Sequence, residues 1–153
     1  MKQKYLLFIV LSALVVITGC AQKRAWLPVS GDNPQMVAAP ILNVDGKKIG
    51  EATFTESAEG VTINIEAKGL PPGEHGTHIH EKGECTPPDF ESAGAPFNPT
   101  HKQHGLENPK GFHLGDLPNI EVDSEGKIKA VLTTKEFTLK PNLENSILDS
   151  DGS

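Results

Sequence analysis

Apolar and polar side chains alternate along much of this chain in short runs. In VTINIEA, Val61, Ile63 and Ile65 alternate with Thr62, Asn64 and Glu66, a period of two that turns one face of a strand to a core and the other to water. EATFT repeats the pattern with Ala52 and Phe54 inward, and KIKAVLT with Ile128, Ala130 and Leu132 inward. Turn-forming pairs punctuate the runs: Asp45-Gly46, Glu59-Gly60, Pro71-Pro72-Gly73 and Glu125-Gly126. No segment sustains a helical period. The pattern predicts an all-β domain with short strands near 36–43, 50–56, 61–68, 75–81, 119–123 and 127–133. Residues 83–118 form one long loop rich in Gly, Pro, His and Asp. Loops of that length in a compact domain are usually functional or disordered, and metal ligands would explain an ordered one. Near the end, NSILDSDGS places an apolar pair before Asp151-Gly152, a hairpin-type turn with no strand after it.

The N-terminus follows a different pattern. Lys2 and Lys4 precede the uncharged run YLLFIVLSALVVITG, which fits the charged and apolar regions of an export signal better than a membrane span with its own flanks. VITGC resembles a bacterial lipoprotein box, with Ile17, the small Thr18 and Gly19, and then Cys20 as the residue lipidated after cleavage. The alternative is an uncleaved signal anchor with Cys20 as an ordinary thiol. The expected organisation is a signal peptide over 1–19, a tether over 20–35 and a folded domain over 36–153. Lipid on Cys20 would hold that domain at a membrane face outside the cytoplasm.

Charge narrows the classes of partner. The chain has 14 Lys and Arg against 20 Asp and Glu, and removal of residues 1–19 takes Lys2 and Lys4 with it. So acidic a chain argues against nucleic acid and against a polybasic membrane-binding face. If Cys20 is acylated, Cys85 is the one thiol left, and in an oxidising compartment its partner is either on another chain or missing.

The six histidines fall between His75 and His113. Side chains two apart on a strand share a face, so His78 and His80 can converge on one ion, while His75 has the opposite parity. Alone, such a pair is more often an exposed polar face than a ligand set. Downstream, HGLENPKGFHLGD adds His104, His113 and Asp116, and two imidazoles with a carboxylate suit Zn²⁺.

Taken in order, HGTHIHEKGEC, SAGAPFNP, HKQHG and FHLGDLPNI resemble the copper/zinc superoxide dismutases over residues 36–153. The resemblance implies a Greek-key β-sandwich or barrel of the immunoglobulin-like type. It also implies dismutation of superoxide to O₂ and hydrogen peroxide, with copper as the redox metal and a histidine bridging copper to zinc. His78 and His80 match copper ligands, and His104, His113 and Asp116 match the ligands of zinc alone. His75 matches a structural histidine, Cys85 the loop half of a disulfide, and Gly115-Asp116-Leu117 the end of the zinc loop.

Two departures shape the expectation. The position of the bridging histidine, in Gly94-Ala95-Pro96-Phe97-Asn98-Pro99, holds Pro96, which has neither a side-chain donor atom nor an N–H. The family's fourth copper histidine, active-site arginine and second disulfide cysteine have no counterpart up to Ser153, so the domain is expected to lack its last two strands. The consequences expected are a three-ligand zinc site whose fourth position is open to water, weak copper binding and little or no activity. His101 is a further candidate ligand, with solvent exposure the favoured alternative. Uncovered strand edges make homodimerisation a candidate. Competing functional readings are a residually active copper-dependent dismutase and an envelope zinc- or copper-binding lipoprotein that buffers metal.

Overall fold

The computed structural model describes residues 35–149. The expected signal peptide over 1–19, the lipidation at Cys20, the tether up to its last residue and the Asp151-Gly152 turn lie outside the described residues. Six strands form: β1 (Met36–Leu42), β2 (Lys48–Ser57), β3 (Gly60–Lys68), β4 (Gly73–His78), β5 (Asp116–Val122) and β6 (Lys127–Thr134). All pairings are antiparallel. One sheet has the order β1-β2-β3-β6 and the other pairs β4 with β5. The chain leaves the first sheet after β3, makes β4 and β5, and returns as β6 beside β3, a Greek-key crossing. The all-β character is what the alternation predicts, and the Greek-key sandwich is what the family resemblance implies.

The alternating faces predict the core well. Val61, Ile63, Ile65 and Ile128 are buried, and Ala52, Phe54, Ala130 and Leu132 pack against them. Opposite them, Leu117 and Val122 of β5 and Phe97 of the β4–β5 loop complete one apolar cluster. The β5–β6 turn depends on Gly126, whose φ is +74°; a Cβ there would lie 2.7 Å from the Leu70 carbonyl oxygen.

Two boundaries differ from expectation by three residues, and the others by no more than two. β4 runs from Gly73 to His78 and not to residue 81, because His80 pairs with Pro96 of the loop in an isolated bridge. β5 starts at Asp116 and not at residue 119, so Asp116 belongs to a strand and the loop ends at Gly115. The reason is a bulge. His75 pairs with Ile120 but Thr77 with Leu117, so β5 carries one extra residue at Pro118-Asn119 opposite Gly76. Proline has no N–H to give to a ladder and is tolerated at such a bulge. The extra residue moves the register by one and sets Asp116 opposite His78 on the last rung.

Alternation gives no sign of the segment after β6. Phe137, Leu139 and Ile147 are buried in the core cluster although they belong to no strand. Glu56 of β2 holds this segment: its carboxylate accepts bonds from the Thr138 hydroxyl and the Leu139 amide, each at 2.7 Å. We predict that Glu56→Ala, which strands the Leu139 amide, lowers stability by about 1.5–3 kcal/mol, with a smaller loss for Glu56→Gln. A urea midpoint unchanged in Glu56→Ala would rule out this anchor.

Candidate metal centre

Asp116 is at the centre of the site. Its side chain is buried, and the Gly105 and His113 amides donate to Oδ2 at 2.9 and 3.1 Å. At Oδ1 the His104 Nδ1–H donates at 3.0 Å, while Nδ1 of His78 and of His113 lie 3.4 and 3.6 Å away. Burial is the largest influence on this carboxyl and opposes ionisation. The Gly105 and His113 amides and the His104 and His113 rings outweigh it, so the carboxyl is held below its ordinary value.

The long loop is folded so as to present these groups. Phe97 is inserted between the end of β4 and the start of β5: its amide bonds the Ile79 carbonyl, and the Gly115 amide bonds the Phe97 carbonyl, both at 2.9 Å. Gly115 permits this approach, since a Cβ there would sit 2.4 Å from the Ile79 oxygen. Asn98 closes residues 98–102 by bonding both the amide and the carbonyl of Lys102. Asn108 donates to the His104 carbonyl and to the Gln103 side chain, which supports the backbone that carries His104.

The sequence-predicted residues distribute as follows. His78, His104 and Asp116 offer ligand atoms that all lie within 4.8 Å of one another; His113 stands outside that group of three and joins the site through Asp116, with its Nδ1 3.6 Å from Oδ1. The His78 and His104 ring centroids are 5.0 Å apart, and those of His104 and His113 are 5.5 Å apart. His80 is exposed, and its Nδ1 lies 3.0 Å from the Gly94 carbonyl. A carbonyl can only accept, so Nδ1 carries the proton and Nε2 keeps its lone pair free, as in many metal-binding histidines. Pro96 lies opposite His80 across the isolated bridge. His75 donates from Nε2 to the Pro71 carbonyl at 2.8 Å, away from the cluster. His101 is exposed with φ of +52° and lies outside the cluster. Cys85 is exposed and has no disulfide partner among the described residues.

The cluster fits a small cation. Zn–N and Zn–O bonds near 2.0–2.1 Å in a tetrahedron place neighbouring ligand atoms about 3.3–3.4 Å apart. The three Nδ1–Oδ1 separations of 3.0, 3.4 and 3.6 Å bracket that spacing. The His113 Nδ1 is buried without a hydrogen-bond partner, a costly arrangement that a bound cation would relieve. Nitrogen and carboxylate donors suit zinc, and imidazoles suit copper as well. The Asp116 backbone partners, Gly105 and His113, are not legible from spacing. The bulge was signalled only by Pro118, a proline within a strand.

The profile of the copper/zinc superoxide dismutase (SODC) family matches residues 48–152. Superoxide dismutase-like protein YojM of Bacillus subtilis (strain 168) is 42% identical over 98% of this chain and 81% of its own length. Superoxide dismutase [Cu-Zn] 2 of Aquifex aeolicus is 46% identical over 74% of this chain and 67% of its own. The crystal structure of a superoxide dismutase-like protein from Bacillus subtilis superposes with a TM-score of 0.70 at 46% identity, covering 78% of this chain and 77% of that one. With the profile spanning most of the described domain and a relative alignable along almost the whole sequence, the chain belongs to the copper/zinc superoxide dismutase family.

Proposed function

We propose that this chain is an exported, lipid-anchored metal-binding member of the family, with a zinc site on His104, His113 and Asp116 and little or no dismutase turnover. Residues 1–19 act as the signal peptide, Cys20 carries the lipid at an extracytoplasmic membrane face, residues 20–35 are the tether and residues 36–153 the metal-binding domain. The observation that carries the zinc reading is the convergence of imidazole nitrogens on one buried carboxylate oxygen, one of them orphaned. Held by His104 and His113 of the β4–β5 loop and Asp116 of β5, a zinc ion would supply the positive charge that these donors share.

The case against efficient dismutation rests on Pro96. The family reaction takes two superoxide ions and two protons to O₂ and hydrogen peroxide. Copper, when bound, supplies the one-electron chemistry, and a bridging imidazole would hold and return a proton. Pro96 lies across from His80 at that position and can neither accept nor donate one. A second reading, a residually active copper-dependent dismutase, draws its support from His80, whose free Nε2 is directed by the bond to Gly94. A third, metal buffering in the envelope, needs only the cluster. Homodimerisation through the strand edges is compatible with all three.

Metal analysis of the purified mature protein after loading with zinc or copper, combined with a superoxide-consumption assay, separates these readings. We expect about one zinc per chain, the count for one such four-coordinate site, and turnover equal to a free-metal blank. Copper-dependent turnover clearly above the blank would overturn the inactive reading in favour of the residual enzyme.

A pH-dependent prediction follows from Asp116. Because its carboxyl is held below the ordinary 3.8, its stabilising contribution is complete above that value and is lost as pH falls through the lowered one. Asp116→Asn should therefore destabilise the metal-free protein near neutral pH by about 1–3 kcal/mol, and the gap in urea midpoint should close on acidification below 3.8. A gap that stays constant with pH would show that shape, not charge, is what matters at this position.

A further inference from the structure

The strand register brings His78 to the zinc-type residues. Thr77 and His78 pair with Leu117 and Asp116 after the bulge at Pro118-Asn119. With an unbroken register, His78 would face Leu117. On the last rung of an antiparallel pair, facing Cβ atoms are held about 4.5–5.5 Å apart, so the backbone itself confines His78 next to Asp116. Its Nδ1 lies 3.4 Å from Asp116 Oδ1, between the separations for His104 and His113. It reaches that oxygen with the same ring atom as the other two.

The other candidates for a fourth ligand are less well placed. Pro96 has no donor atom. His80 turns its Nδ1 to the Gly94 carbonyl, where His78 turns the same atom to Asp116. His101 stands exposed on the loop with a left-handed backbone. Water is the remaining alternative, but His78 already lies in ring contact with His104 at 5.0 Å, so binding need not recruit it from solvent.

We propose that His78 closes the zinc site, taking the coordination position that a histidine at position 96 would have filled, so that His78, His104, His113 and Asp116 hold a single ion through three Nδ1 atoms and one carboxylate oxygen. This assignment rests on the zinc reading above and goes beyond it. It removes His78 from any copper pair with His80 and makes the centre mononuclear: a zinc-saturated chain keeps only His80 for a second metal. Loss of the bridge then does more than slow the reaction. It redirects one copper-type ligand to zinc.

The test uses Co²⁺ and Cd²⁺ as spectroscopic substitutes for zinc in the full mature chain. Wild type should bind one Co²⁺ with the intense visible bands of a four-coordinate centre. His78→Ala should weaken those bands and lower zinc affinity at least about 10-fold, the lower end of what loss of a mere supporting partner costs. His80→Ala should leave both within about 2-fold, a change under 0.5 kcal/mol. Adding Pro96→His to His78→Ala should restore the four-coordinate spectrum. Because a variant can fail by misfolding, wild type loaded with ¹¹³Cd provides a direct readout. Scalar coupling of cadmium to the rings of His78, His104 and His113 supports the assignment, whereas coupling to His104 and His113 alone places water in the fourth position and overturns it. Absence of stoichiometric binding by wild type would instead sink the zinc reading, and this inference with it.

Discussion

One buried carboxylate governs the arrangement of the loop and the strands around it. An isolated carboxylate removed from water is strongly unfavourable unless its lone pairs are satisfied. Asp116 meets that demand with two loop amides on Oδ2 and an imidazole on Oδ1. Gly105 and the backbone of His113 are thereby drawn to β5, and the segments carrying the His104 and His113 rings follow. The charge that would destabilise an empty core is what gives a long, glycine- and proline-rich loop a defined path. With two further imidazole nitrogens near the same oxygen and the buried His113 Nδ1 left without a hydrogen-bond partner, the pocket gathers the nitrogen and oxygen donors that suit a divalent cation such as zinc.

The backbone makes this geometry a matter of register and not of chance. A single extra residue in β5 changes which side chain faces His78, and in a sheet a one-residue slip exchanges the two faces. The bulge thus couples a local defect at Pro118 to the composition of the candidate metal centre. Phe97 and Gly115 do the same for the loop. The buried ring and the bare Cα allow three segments to lie side by side at the base of the site, giving the ligands a rigid floor.

Much of this was legible in the sequence, and the exceptions share a cause. Strand cores at Val61, Ile63, Ile65 and Ile128 follow from alternation because one face of each strand is buried. The six histidines and Asp116 announce metal chemistry through residue type and spacing. The placement of Asp116 on a strand was not legible, since it depends on a bulge that periodicity cannot register. Nor was the anchoring of Phe137, Leu139 and Ile147, which are buried by a non-repetitive segment held by Glu56, 82 residues upstream of Thr138. Alternation reports faces of regular elements. It does not report long-range polar contacts that bury irregular chain.

Pro96 shows how the loop's structural role separates from its chemistry. The backbone around it is fixed by the bonds of Phe97 to Ile79 and Gly115, and of Glu81 and Lys82 to Ala95 and Ala93. None of these bonds uses a side chain or an N–H at position 96. Proline is therefore compatible with the fold there, and by restricting φ it lowers the entropy of the unfolded loop where the native conformation accepts it. In the function proposed above, what it removes is a nitrogen donor between two metal positions. A fold whose bonds make no use of position 96 accepts proline there, and on that proposal the groups that remain would settle around one ion instead of two. The location of His78, beside Asp116 and not beside a bridging ring, is what such a rearrangement requires.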